Sequence, residues 1–279
     1  MTTATISASD VNKLRQQTGA GMMDCKKALM EANGNFEEAV DNLRKKGQKI
    51  AVNRGDREAK EGVVLGKTTA DGKRGTVIVL NCETDFVAKN ADFVKYTESI
   101  LDLAISSNPS SIDALKNLKL GNLTVTETLF DQIGKIGEKI ELSAFETISA
   151  DKVIVYNHPG YKLASMVGFS ASPSGIDEIG KNVAMQIAAM APVALDKEDV
   201  DAKMLEREIE IGKEQARQEG KPENMIEKIA LGKVNKFYNE YTLLNQVFIK
   251  DEKKTIRQYL ADADKNLKIT AFKRLQLGA

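Results

Sequence analysis

The sequence predicts an α+β fold: an N-terminal three-helix module, a two-subdomain core with antiparallel sheets, and an inserted antiparallel helical hairpin. Three observations carry that prediction. Residues 8 to 47 hold apolar positions at helical spacing, interrupted by Gly- and Asn-rich breaks. A strand pair followed by an apolar-striped helix occurs twice, about 90 residues apart. Residues 197 to 240 are highly charged, yet apolar residues recur three and four apart on both sides of Gly220-Lys221-Pro222.

Taken in order, Ser9 or Asp10 can cap the first helix, which carries Val11 and Leu14 and is broken at Thr18-Gly19-Ala20-Gly21. The second starts near Met22, carries Met22, Cys25, Ala28 and Leu29 on one face, and stops at Asn33-Gly34-Asn35. The third carries Phe36, Ala39, Val40 and Leu43, and Gly47 is expected to end it. About forty residues make a marginal core, so this module, 1–48, is expected to lean on a partner or a neighbour. Residues 49–61 are polar and mixed in charge and read as a linker, partly helical.

The first core subdomain is expected over 62–150. Val63-Val64-Leu65 and Thr76 to Cys82 read as strands joined by the hairpin signal Asp71-Gly72. A helix striped with Phe93, Tyr96, Ile100, Leu103 and Ala104 follows, closed by Asn108-Pro109. Short helices are expected over 111–117 and 124–140. The second subdomain, 151–279, repeats the pattern: Lys152 to Tyr156, a Pro159-Gly160 turn, Lys162 to Phe169, then a helix with Ile179, Val183, Ile187 and Met190. The charged hairpin over 197–240 is expected to project, with its seam formed by Val200, Met204 and Ile211 against Met225, Ile229, Val234 and Phe237. A short helix at Thr255 to Leu260 and a strand at Ile269 to Leu277 complete the chain.

The composition narrows function. Forty Lys+Arg balance forty Asp+Glu, and no run of five basic residues occurs, so direct nucleic-acid binding is not expected. The single histidine, His158, and the absence of Walker, GxGxxG and GxSxG patterns leave no ordinary catalytic set. Cys25 and Cys82 stand alone, which fits a reducing compartment and gives no metal-ligand spacing. The opening residues have neither an apolar signal core nor an Arg-rich amphipathic stretch, and no apolar run could span a bilayer. A cytoplasmic binding protein that is not an enzyme is the expectation.

Asn81-Cys82-Glu83-Thr84-Asp85-Phe86-Val87-Ala88 marks an odd junction, a strand ending in acidic residues followed at once by a large aromatic. The residues alone read Thr84 or Asp85 as a helix cap and Phe86 as a staple on the next helix. Together with Leu14-Arg15 and Thr18-Gly19-Ala20-Gly21-Met22-Met23-Asp24-Cys25-Lys26-Lys27-Ala28-Leu29, however, this stretch resembles the two signatures of the bacterial elongation factor Ts family. The order of parts fits over nearly the whole chain. One departure is that some members continue past the last core strand into a C-terminal helical module.

The resemblance implies a guanine-nucleotide exchange factor for elongation factor Tu, with no cofactor of its own, acting on the GDP and Mg2+ that its partner holds. It implies that the N-terminal module is similar to ubiquitin-associated (UBA-like) domains and docks on the GTPase domain. It implies that Thr84, Asp85, Phe86 and Val87 enter beside the Mg2+ site, and that the core makes further contacts and, in some members, a homodimer. Arg15, Met22, Met23 and His158 are expected at the partner surface. Because helix neighbours point about 100° apart, only one of Met22 and Met23 can face the module core, and the other is expected to be exposed. The charged hairpin reads either as a structural element or as a partner-binding arm, with binding favoured. Two rivals stand beside this reading: an adaptor working through the three-helix module alone, and an enzyme with an unfamiliar active site.

Overall fold

The computed structural model describes residues 6–278. Three helices open the chain: α1 (Ala8–Thr18), α2 (Met22–Glu31) and α3 (Phe36–Asn53). Ser7, not Ser9 or Asp10, caps α1, in a reciprocal box with Asp10. Gly19 closes α1 at φ 68°, a left-handed conformation that glycine adopts without a side-chain clash. Val11, Leu14, Cys25, Ala28, Leu29 and Ala39 form the module's small core.

Gly47 does not end the third helix. α3 runs on to Asn53, so the stretch read as a linker begins inside a continuous helix. Gly47 is instead a crossing point. A methyl group built there would collide with the main-chain carbonyl of Phe130, and Gly134 lies against it from the facing helix. That facing helix is α7 (Val125–Ile136). Only tertiary contact could distinguish a glycine that stops a helix from one that lets two helices touch.

The rest of the core is two β-β-α-β units of like topology. The first pairs β1 (Glu61–Thr68) with β2 (Arg74–Cys82), then runs through α4 (Asp85–Ala88) and α5 (Ala91–Ser107). After α6 (Ile112–Asn117), the small ribbon β3 (Lys119–Leu120) and β4 (Leu123–Thr124), and α7, the strand β5 (Glu141–Ser149) pairs antiparallel with β2. The second unit pairs β6 (Lys152–Asn157) with β7 (Leu163–Phe169), continues into α8 (Ile176–Met190), and adds β10 (Ile269–Gln276) beside β7. The strand orders β1-β2-β5 and β6-β7-β10 correspond one to one.

β5 is absent from the sequence reading, which extends a helix to 140. α7 stops at Ile136, with Gly137 left-handed at φ 79°. β5 is hard to see because only Leu142 and Ile148 in it are fully buried, too few to set a period of two.

The two sheets pack face to face between helices. Val63, Leu65, Ile78, Leu80 and Cys82 point toward α5 and α7. Their neighbours Val64, Val77 and Val79 point the other way, against Val153, Ala164 and Met166 of the second sheet. Val167, Phe169 and Ile269 then face α8. The layers therefore run helix, sheet, sheet, helix.

Between α8 and β10 the chain forms the charged hairpin, α9 (Ala202–Gln218) and α10 (Glu223–Tyr241), joined by Gly220-Lys221-Pro222. A short ribbon, β8 (Val247–Phe248) with β9 (Asp251–Thr255), and α11 (Ile256–Ala263) lead to the last strand. Of the expected seam residues only Val234 is buried. Gly212 and Ala216 are buried against Ile226, Ala230 and Val234, while Met204, Ile211 and Met225 are exposed. A methyl on Gly212 would sit 3.3 Å from Cα of Ala230, so close approach, not large apolar side chains, sets the seam.

Candidate functional site

Phe86 is 83% exposed, among the most exposed large hydrophobic side chains of the described residues. It is not a staple on the following helix. It stands on α4, a single turn between β2 and α5, whose other residues divide by direction. Val87 and Ala88 turn inward and pack on the core of the first unit. Asp85 stays at the surface, where Lys89 Nζ donates to its Oδ2 at 2.6 Å. That hydrogen bond and charge hold the Asp85 carboxyl below the usual carboxylate range.

Thr84 occupies the cap position of α4 but makes no cap hydrogen bond with its side chain. Its hydroxyl donates instead to Glu138 Oε1 at 2.6 Å. Glu138 Oε2 accepts from the main-chain amides of Glu83 (3.1 Å) and Thr84 (3.0 Å). Glu83, whose side chain is 12% exposed, accepts from the Lys139 amide at 2.6 Å and from Arg54 at 2.7 and 2.8 Å, with Arg57 at 3.2 Å. Burial pushes the Glu83 carboxyl up, but the Lys139 amide and the two guanidinium groups outweigh it, and the net shift is downward.

Beneath the junction, burial, with Glu138 and Glu61 adding to it, raises the Cys82 thiol to about 12, so it stays protonated and donates to the Thr84 carbonyl at 3.2 Å. Neither Glu138 nor the two arginines was foreseen. Nothing in Lys135-Ile136-Gly137-Glu138 marks a glutamate that reaches a loop more than fifty residues away.

His158 lies on the exposed turn between β6 and β7, where its Nδ1 sits 3.0 Å from the Tyr156 hydroxyl. Two ties bring this turn to β1. Asn157 exchanges hydrogen bonds with both main-chain groups of Gly66, and the Val64 amide donates to the Tyr161 carbonyl at 2.7 Å. Lys162 of the same turn pairs with Glu61 at 3.0 Å, and its charge reaches Asp85. The turn and the Phe86 junction therefore share one side of the core. Tyr161, in the left-handed region at φ 59° and 39% exposed, belongs to that side and was also unforeseen.

Arg15 is exposed on α1. Met22 and Met23 are 51% and 73% exposed, so both face outward, where only one was expected to. Helix α2 starts at Met22, and its first residue in the module core is Cys25, which leaves its first turn overhanging that core. These three residues lie on the N-terminal module, which reaches the junction through Arg54, just past the end of α3. Among the described residues no group of His, Cys, Asp or Glu is placed to hold a metal ion, and no helix is long and apolar enough to cross a membrane.

Comparison with known proteins gives the family. The family model described as Elongation factor TS matches residues 83–279. The chain is 51% identical over 276 residues to the elongation factor Ts of Cytophaga hutchinsonii, covering 98% of this chain and 99% of that protein. It is 50% identical to that of Flavobacterium psychrophilum over 99% of this chain and 100% of that protein. For Porphyromonas gingivalis the identity is 46%, over 98% and 99% respectively. With that family model over most of the chain and 46–51% identity over nearly the full length of these relatives, the chain belongs to the elongation factor Ts family.

Proposed function

We propose that this chain is a guanine-nucleotide exchange factor: it binds elongation factor Tu in its GDP form, in the cytoplasm, and speeds GDP release so that GTP can bind. The observation that carries the reading is the exposure of Phe86 on a junction whose other residues are tied down. An apolar ring held in water by its own fold is a poor way to stabilise a monomer and a good way to enter a partner. Held rigidly, it loses little entropy on binding.

The mechanism is indirect displacement. Mg2+ in a GTPase site demands near-octahedral geometry and is held by phosphates, waters and few protein groups. Burying Phe86 in the partner would contribute about 1.5–3 kcal/mol. Spent on shifting the element that supports the ion, that energy spoils the geometry. Asp85 arrives ionised and competes for the partner's hydrogen-bond donors. Thr84 and Val87 are the anchored ends of the wedge. Arg15, Met22 and Met23 offer a separate docking surface on the module, and His158 one on the core. Linkage requires that the chain weaken nucleotide binding by the same factor by which nucleotide weakens its own binding. No covalent step is involved, and the balanced charge of the chain favours a protein partner over nucleic acid.

The test is direct. Elongation factor Tu loaded with a fluorescent GDP is mixed with this chain and excess GDP, and release is followed. Acceleration at micromolar chain is expected, and a release rate equal to the spontaneous one would overturn the reading.

A further inference from the structure

We propose that Glu83 and Glu138 are positioning residues, a reciprocal carboxylate clasp that presets the Asp85–Phe86 projection before a partner arrives. The inference rests on the exchange reading above. Its geometry is independent of it.

The pairing of β2 with β5 ends at Asn81 opposite Glu141. Two residues further along this antiparallel register, Glu83 faces Lys139, but the main chains do not pair there. The side chains take over. Glu138 accepts the Glu83 and Thr84 amides, and Glu83 accepts the Lys139 amide. Each carboxylate supplies the acceptor that the opposite strand no longer provides. The substitution lets the chain leave the sheet at Thr84 without leaving its amides unpaired.

The projecting turn needs such a device. α4 has four residues and no side-chain cap, far short of a helix that holds itself. Its inner side is fixed by Val87 and Ala88, and Cys82 steadies the Thr84 carbonyl. Among the described residues no hydrogen bond holds the Phe86 ring, so its direction follows from the backbone of Thr84 and Asp85, which Glu138 anchors at the Thr84 amide. Arg54 and Arg57 complete the arrangement by holding Glu83 from the end of α3. The clasp thus joins the helix that carries the N-terminal module to the root of the probe.

A tie that merely stabilised the sheet would lower stability, and its kinetic effect would add to that of any probe variant. A tie that positions Phe86 must act through Phe86. The experiment compares wild type, Glu138→Ala, Glu138→Gln, Phe86→Ala and the Phe86→Ala/Glu138→Ala double variant. GDP release from elongation factor Tu is measured against factor concentration, to separate the plateau rate from half-saturation.

Glu138→Ala is expected to lower the plateau roughly tenfold, as loss of orientation does. Glu138→Gln, which keeps one carbonyl acceptor, should recover part of it. In the Phe86→Ala background Glu138→Ala should change the plateau less than twofold, because little remains to be positioned. Plateau effects that multiply, or a Glu138→Ala plateau equal to wild type, would overturn the inference.

Amide hydrogen exchange on the free chain provides the second arm. Glu138→Ala should speed exchange in residues 81–90 and leave the peptides of the second unit unchanged. Unaltered protection there would also overturn it. If Glu138→Ala does not fold, Thr84→Val, which deletes only the hydroxyl arm, takes its place in both arms. A wild-type chain that releases no GDP would overturn the functional reading itself, and this inference with it. Altered protection with normal exchange kinetics would overturn the positioning role alone.

Discussion

The two β-β-α-β units share a topology but differ at one junction. In the second unit the step from β7 toward α8 is plain. The Ser170 amide donates to the Lys268 carbonyl at 2.9 Å, and the Lys268 amide donates to the Ser170 hydroxyl at 3.0 Å. The ladder simply runs one residue past the strand, and Ala171-Ser172-Pro173-Ser174-Gly175 leads into the helix. In the first unit the same step carries two carboxylates, a one-turn helix and an exposed phenylalanine. The shared topology provides a strand-to-helix corner, and in one copy that corner presents an exposed aromatic. On the proposed reading, function belongs to a corner grafted on the fold, not to the fold.

That contrast can be broken in measurable ways. The largest effect is expected from Phe86→Ala, which should slow GDP release from elongation factor Tu by roughly 10- to 100-fold, since burying the ring is worth about 1.5–3 kcal/mol. Its circular dichroism and melting temperature should match wild type. Ser172→Ala, at the matching corner of the second unit, should change neither. Equal losses from both corners would erase the distinction.

Next is the bracing that only the first unit has. Gly47→Ala gains about 1 kcal/mol in helix propensity, but its methyl meets the Phe130 carbonyl, and forcing α3 from α7 costs about 1–3 kcal/mol. A net loss of stability is therefore expected in thermal unfolding. Faster amide exchange should be confined to α3, α7 and the junction. A more stable variant would show that the crossing is loose.

pH sharpens the comparison further. The folded Glu83 carboxyl lies below its ordinary value of 4.5, so its contribution is complete above that pH and is lost as pH falls through the lowered folded value. Protection of residues 81–90 should therefore decline below about pH 4.5, more steeply in wild type than in Glu83→Gln. The Ser170–Lys268 corner, tied by a main-chain bond and a hydroxyl, should lack that dependence. The smallest effect is expected from Lys89→Ala. It frees a surface carboxylate that solvent already screens, so the melting temperature should not move. A destabilised Lys89→Ala would mean that the projection is held from above as well as from below.

Much of this was legible in the residues. Apolar, strand-like runs at Val63 to Leu65 and Thr76 to Cys82, with Asp71-Gly72 between, marked the first hairpin, and the structure pairs the two strands antiparallel. The repeat of hairpin and helix was visible as pattern, and the structure extends it to a matching third strand in each unit. The weakly patterned β5 and the small-residue seam of the helical hairpin were not visible, because each is defined by what it packs against. At the junction, the oddness of Thr84-Asp85-Phe86 was plain, but its residues alone favoured a cap and a staple. The structure gives the Thr84 hydroxyl to Glu138 and leaves the ring in water.

The sequence by itself determined most of the local elements and the pair of signatures, because these depend on spacing along one chain. Tertiary structure decided which glycine permits contact, which face of the hairpin is buried and which way Phe86 points. Those outcomes depend on groups distant in sequence, such as Gly134 for Gly47 and Glu138 for Thr84, whose meeting no local period encodes.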